Sequence, residues 1–167
     1  NSWEYLRDEG MGGRHLDART HFYYFAAVNT PAMAMKLVGK GSKYAWGYLD
    51  SRGNYLDGGK TYKMNLPKDP PAEKFISIVV YDPQTRSELQ TSQPYPSKNN
   101  VRDKDTLIYN DDGSFDLYFG PEAPAGKEPN WIQTVPGKGW FCLLRLYSPT
   151  EAWYDKKWLP GEIELVK

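Results

Sequence analysis

This sequence is poor in the side chains that most often do chemistry. It has two histidines, His15 and His21, and a single cysteine, Cys142. Six positions apart on a helix, the histidines fall on different faces and cannot share a metal. Cys142 belongs to another region, so the sequence predicts no metal and no cofactor. Nucleophilic catalysis needs a Ser, Cys or Thr beside a base. No G-x-S-x-G occurs, and Ser42 lies in the linker-like run GKGSK. Asp57-Gly58-Gly59-Lys60-Thr61 looks like the end of a phosphate loop. Asn54, however, stands where that motif needs its first glycine, and a strand rather than a helix follows. The acidic turns at 50–54 and 110–116 lack the glycine position and the terminal bidentate glutamate of a calcium loop. For a carboxylate pair of the glycosidase kind, Asp50, Asp82 and Asp116 are candidates by position only.

The chain is rich in rings instead: 13 Tyr and 6 Trp. Trp46, Tyr48, Tyr81, Trp131 and Trp140 could line an aromatic groove for sugars or apolar ligands, or fill the core. Arg145 interrupts the most apolar strand, so it must either snorkel from an edge or be paired, with Asp82 a plausible partner. The candidate ligand-binding set is Trp46, Tyr48, Asp82, Arg86, Asn130, Trp131 and Arg145. An enzyme would need Asp82, Arg86, Asn130 and Arg145 to converge on one pocket with a strongly shifted carboxylate.

The elements that must position these residues follow from periodicity. Asp17 could cap a helix through Ala27, with Ala18, Phe22, Phe25 and Ala26 along one face. Pro31 stands near the first turn of a second short helix reaching about Leu37. The run KLVGKGSK then divides a helical arm, residues 1–42, from a β domain, residues 43–167. There the period becomes two. Tyr44, Trp46 and Tyr48 point one way, and Tyr62, Met64 and Leu66 mark a half-buried strand. Phe75–Tyr81 reads as a central strand. Residues 92–105 read as an exposed loop, and Thr106–Tyr109 and Phe115–Phe119 as strands joined by a turn carrying Asp112-Gly113. Residues 120–139 form a Pro- and Gly-rich loop of specified path, with Asn130 and Trp131 at its middle. In the last long strand Trp140, Cys142, Leu144 and Leu146 make one face, and Phe141, Leu143, Arg145 and Tyr147 the other. Short strands with a turn between each pair imply a mainly β fold, a jelly-roll-like antiparallel β-sandwich behind a short N-terminal helical arm.

The 21 basic and 21 acidic side chains cancel. That removes the electrostatic argument for a nucleic-acid or anionic-membrane partner. No apolar run is long enough to span a bilayer, and a lone cysteine permits no intrachain disulfide. The sequence begins at Asn1 rather than Met, as expected of a processed or trimmed chain.

Four stretches, taken in order, resemble the bacterial family called domain of unknown function 1214. They are YLDSRGNYLDGGKTY (48–62), VYDPQTRSELQTSQ (80–93), DDGSFDLYFGPEAPAGK (111–127) and NWIQTVPGKGWFCLLRLY (130–147). The chain departs from the family pattern at Ile76, where Trp is usual. The resemblance implies a jelly-roll-like β-sandwich, often oligomeric, in envelope-type proteins that also carry domain of unknown function 1254. It implies a periplasmic or envelope location, no established reaction and no catalytic residues. The expectation is a non-catalytic binding or assembly module of a larger bacterial protein. Its partners would be itself or a companion domain, with a small molecule or carbohydrate as a possible ligand. The alternative is a hydrolase acting on a carbohydrate or small apolar compound near the Pro/Gly-rich loop.

Overall fold

In the computed structural model Tyr62, Met64 and Leu66 are buried, while Lys63 and Asn65 between them are only half-buried. This period of two is the signature of a strand with one face in a core. The structure describes residues 2–5, 16–26 and 35–166. In order, the elements are β1 (Trp3–Tyr5), α1 (Leu16–Ala26), β2 (Ser42–Gly47), β3 (Tyr62–Leu66), β4 (Ala72–Tyr81), β5 (Ser97–Asn99) and β6 (Phe115–Gly120). A 3-10 turn (Glu128–Asn130) leads into β7 (Trp131–Gln133), followed by β8 (Phe141–Pro149), α2 (Glu151–Tyr154) and β9 (Glu164–Leu165). The chain is mainly β with little helix.

A five-stranded sheet runs β1-β2-β8-β4-β5, and a four-stranded sheet runs β7-β6-β3-β9. Their inner faces share one core. Ala45 of β2, Cys142, Leu144 and Leu146 of β8, and Ile76, Ile78 and Val80 of β4 come from the first sheet. Tyr62, Met64, Leu66, Phe115, Leu117, Phe119 and Ile132 come from the second. Each fully buried side chain of this size contributes roughly 1.5–3 kcal/mol. Register fixes who meets whom: Ala45 lies opposite Leu144, and Leu144 opposite Ile78. One row along, Gly47 lies opposite Cys142. A Cβ at Gly47 would stand 2.9 Å from Ile163 Cδ1 and 3.1 Å from Cys142 Sγ, so the core closes there only over a bare backbone.

Several expectations need correction. The fold is not wholly antiparallel, because β6 and β7 pair in parallel. The ten residues 121–130 carry the chain back so that β7 starts alongside β6 in the same direction, with Trp131 opposite Tyr118. Thr106–Tyr109 is not a strand. Thr106 N–H donates to Asp103 O at 3.0 Å and Leu107 N–H to the same oxygen at 2.9 Å, so the segment closes as turns. The reading of 92–105 as loop misses β5, which pairs with β4 through Ser77–Val79. Within 1–42, Trp3–Tyr5 is a strand hydrogen-bonded to β2, so this part of the segment belongs to the sheet. Met35–Leu37 is not helical, and the rest of the expected second helix, like the side chains of Ala18, Phe22 and Phe25, lies outside the described residues. No helix among the described residues is long and apolar enough to cross a membrane.

Candidate functional site

The outer face of the five-stranded sheet carries the rings. Cross-strand register puts Trp46 opposite Leu143, and Phe141 opposite Tyr81. Beyond the end of β2, Tyr48 reaches the same place, its ring centroid 5.7 Å from that of Phe141. Tyr81 stacks on Phe141 at 5.3 Å with the planes 19° apart. Antiparallel strands place these side chains on one surface because directly opposed residues share a face. Together with Arg86 they line a cleft of about 190 Å³.

Arg86 comes from the turn that follows β4, and Asp82 builds that turn. Its Oδ1 accepts from Gln84 N–H at 2.8 Å and Thr85 N–H at 3.2 Å. Its backbone N–H donates to Ser87 O at 3.0 Å, and its carbonyl accepts from Arg86 N–H at 2.9 Å. Lys138 Nζ donates to Asp82 Oδ2 at 3.1 Å. These bonds hold Arg86 at φ 62°, a left-handed conformation that non-glycine residues adopt rarely and at a cost. The Arg86 side chain is exposed and forms no ion pair or hydrogen bond among the described residues.

The electrostatics follow from these positions. Burial pushes the Tyr48 phenol well above its usual range, Glu4 on β1 adds to this, and Arg86 opposes it. Burial also raises Tyr81, with Arg145 opposing. Both phenols therefore stay protonated at neutral pH and serve as donors rather than bases. The N–H groups of Gln84 and Thr85, followed by Lys138, hold the Asp82 carboxyl below the ordinary carboxylate range.

Of the seven residues singled out from the sequence, the cleft brings together Trp46, Tyr48 and Arg86. Asp82 supports the cleft through the turn and does not line it. The structure does not pair Asp82 with Arg145. Asp82 follows the end of β4, whereas Arg145 sits mid-strand opposite Tyr44 and Ser77. The Arg145 guanidinium lies 5.5 Å from the Tyr147 ring and 6.0 Å from the Tyr44 ring, and its Nε is buried with no partner.

Asn130 is buried and wholly engaged with backbone. It accepts from Ile108 N–H at 2.8 Å and donates to Ile108 O at 2.8 Å and Asp116 O at 2.7 Å. Trp131 opens β7 on the other sheet, its Nε1–H donating to Gly120 O at 2.9 Å. Trp140 is in the core, stacked on Phe119 at 4.8 Å. The lining residues that the site reasoning passed over are Phe141 and Leu143. Their signal was present in the alternation of β8, which sets them on the face opposite Cys142 and Leu144.

A larger polar cleft of about 430 Å³ lies over β3 and β6. Several of its charges are engaged: Lys63 pairs with Asp116 at 3.0 Å, Asn65 donates to Asp116 at 2.9 Å, and Glu162 accepts from Ser2. Asp50 caps its own turn through Arg52 N–H and Asn54 N–H, both at 2.9 Å. Among the described residues no three His, Cys, Asp or Glu side chains gather as a metal site. Chemically, the aromatic cleft offers flat apolar walls, two phenolic donors and one cation at its mouth.

A family model described as a protein of unknown function, DUF1214, matches residues 41–151. Among solved structures, the chain is similar to the VPA0106 protein from Vibrio parahaemolyticus, with a TM-score of 0.67 at 22% identity, covering 90% of this chain and 35% of that one. An uncharacterized protein from Burkholderia cenocepacia matches with a TM-score of 0.45 at 15% identity, over 80% of this chain and 32% of that one. The chain thus spans about a third of the length of these structures. No curated protein matches it.

Proposed function

Because the chain belongs to the DUF1214 family, described as proteins of unknown function, we propose from its geometry that it is a non-catalytic binding module of a larger bacterial protein. The observation that carries this reading is the ring-walled cleft with Arg86 held at its mouth. A concave, mostly apolar site with a few convergent polar groups is the usual form of a ligand pocket. The acids a hydrolase would use support the same reading, since Asp50, Asp82 and Asp116 are each bound to a turn or a lysine.

The finer architecture belongs to the proposal. The module is a jelly-roll-like sandwich in which α1 belongs to an N-terminal arm. Its partner is itself or a companion domain, of the kind called domain of unknown function 1254, in an envelope protein. The share of the Vibrio protein that the chain covers is consistent with a part of something longer.

The test is thermal melting against a panel of glycosides, monocyclic aromatic compounds and short lipids. A ligand at about a hundredfold its Kd adds roughly 2.7 kcal/mol, or about 5–10 °C for a chain of this size. At least one class should produce that rise, and Tyr81→Ala should abolish it. A flat response to every class would remove the cleft as a ligand site.

A further inference from the structure

Resting on the reading of the ring-walled cleft as a ligand site, we infer that its ligand is a monocyclic aromatic carboxylate, the ring lying among Trp46, Tyr81 and Phe141 and the carboxylate meeting Arg86. Four observations lead there. The first is size. Apolar cavities of about 150 Å³ admit one benzene ring, so a cleft of about 190 Å³ holds one ring with a small substituent. The second is the walls. Tyr48 and Tyr81 flank Phe141 at 5.7 and 5.3 Å, close to the offset distances aromatic rings prefer, so another ring extends an arrangement already present.

The third is polarity. A neutral sugar brings several hydroxyls, each needing a partner when desolvated. The polar side-chain groups of the lining residues are few: the hydroxyls of Tyr48 and Tyr81, the indole of Trp46 and the Arg86 guanidinium. One anionic group needs less, and a guanidinium can satisfy both carboxylate oxygens at once. The fourth is Arg86 itself. It is exposed, unpaired among the described residues, and held at φ 62° by a turn whose acid is committed to backbone N–H groups and Lys138. A strained backbone kept in place by its surroundings is a recurrent mark of a functional position. Asp82 is not paired with Arg86: its Oδ1 accepts from Gln84 and Thr85 N–H and its Oδ2 from Lys138 Nζ. Glu4 acts on Tyr48 and Glu88 on Tyr81, so two carboxylates near the cleft oppose an anionic ligand, and Arg86 is the group that must outweigh them.

The experiment is calorimetric titration of the full chain and of Arg86→Gln with benzoate, benzamide and methyl β-glucoside at low salt. Melting of Arg86→Gln is recorded alongside to verify folding. Benzoate should bind the native chain about tenfold more tightly than benzamide, the margin of one charge-assisted contact. Arg86→Gln should bring benzoate down to the level of benzamide and leave benzamide unchanged. Arg86→Gly, which relaxes the backbone, should melt higher than the native chain and still lose the preference for benzoate. Equal binding of benzoate and benzamide, or binding of the glucoside alone, would overturn the carboxylate assignment and leave the cleft a ligand site. Binding of none of the three would overturn both.

Discussion

Asn130 looked like a ligand contact in the sequence, and its surroundings make a different, measurable demand. Its amide closes three hydrogen bonds at 2.7–2.8 Å, two to Ile108 and one to Asp116, and so fastens the segment after the 101–106 turns to β6. Replacement by Ala leaves one backbone N–H and two backbone C=O groups without this partner. At about 1 kcal/mol each, net, the loss is about 3 kcal/mol. For a chain of this length that is a fall of about 6–12 °C in Tm. Asn130→Asp sharpens the test. It keeps the acceptor for Ile108 N–H but turns the donor into an oxygen facing two carbonyl oxygens. The charged form is then disfavoured in the fold, so the variant's carboxyl pKa rises above its unfolded value. Asn130→Asp should therefore be less stable than Asn130→Ala at pH 7 and recover relative to it as the pH falls towards about 4, where the group gains its proton. Differential scanning calorimetry at both pH values reads this directly. If Asn130→Ala melts within about 2 °C of the native chain, or if the Asp variant shows no pH-dependent recovery, the clamp is not what holds this region.

Other outcomes follow from the same coordinates. Trp131→Ala removes a half-buried ring and its bond to Gly120 O; it should cost about 2 kcal/mol by chemical denaturation while leaving binding at the aromatic cleft intact. Unchanged stability with lost binding would make it a ligand contact. Asp82 has a folded pKa below its unfolded one, so its contribution is present above about pH 4 and is lost as the pH falls through the lowered value. Asp82→Asn should therefore melt with a shallower acid limb than the native chain, and superimposable limbs would exclude the turn as an acid-sensitive element. Burial pushes the Cys142 thiol far above its usual range, so alkylation should proceed only at the rate of unfolding. Labelling that outpaces unfolding would mean that the centre of β8 is open to solvent.

Much of the fold was legible because burial here has a simple period. The faces of β3 and β8 could be read from alternation alone, and β4 as a central strand from its unbroken apolar run. What could not be read was set by distant contacts. Leu107, Ile108 and Tyr109 look like a strand, yet turns closing on Asp103 and the amide of Asn130 claim their backbone groups. Ser97–Asn99 is polar throughout, and its pairing with β4 leaves no trace in hydrophobicity. The parallel return of β7 depends on the path of the loop at 121–130 rather than on its composition. At the site, alternation set Trp46 and Tyr48 on one face, and Tyr81 was a candidate only within a wider group of rings. Trp131 and Trp140 share their chemistry but sit on another sheet and in the core, a distinction residue type does not carry.

The outermost strands of both sheets are very short: β1, β5 and β7 have three residues each and β9 two, whereas β4 runs to ten. Such stubs are poor templates for strand addition, so end-to-end growth of sheets from one molecule to the next has almost nothing to start from. Among the described residues, the broad surfaces and the connecting loops are therefore better suited to assembly of this chain than the strand edges. Its solutions should resist fibre-like stacking even at high concentration.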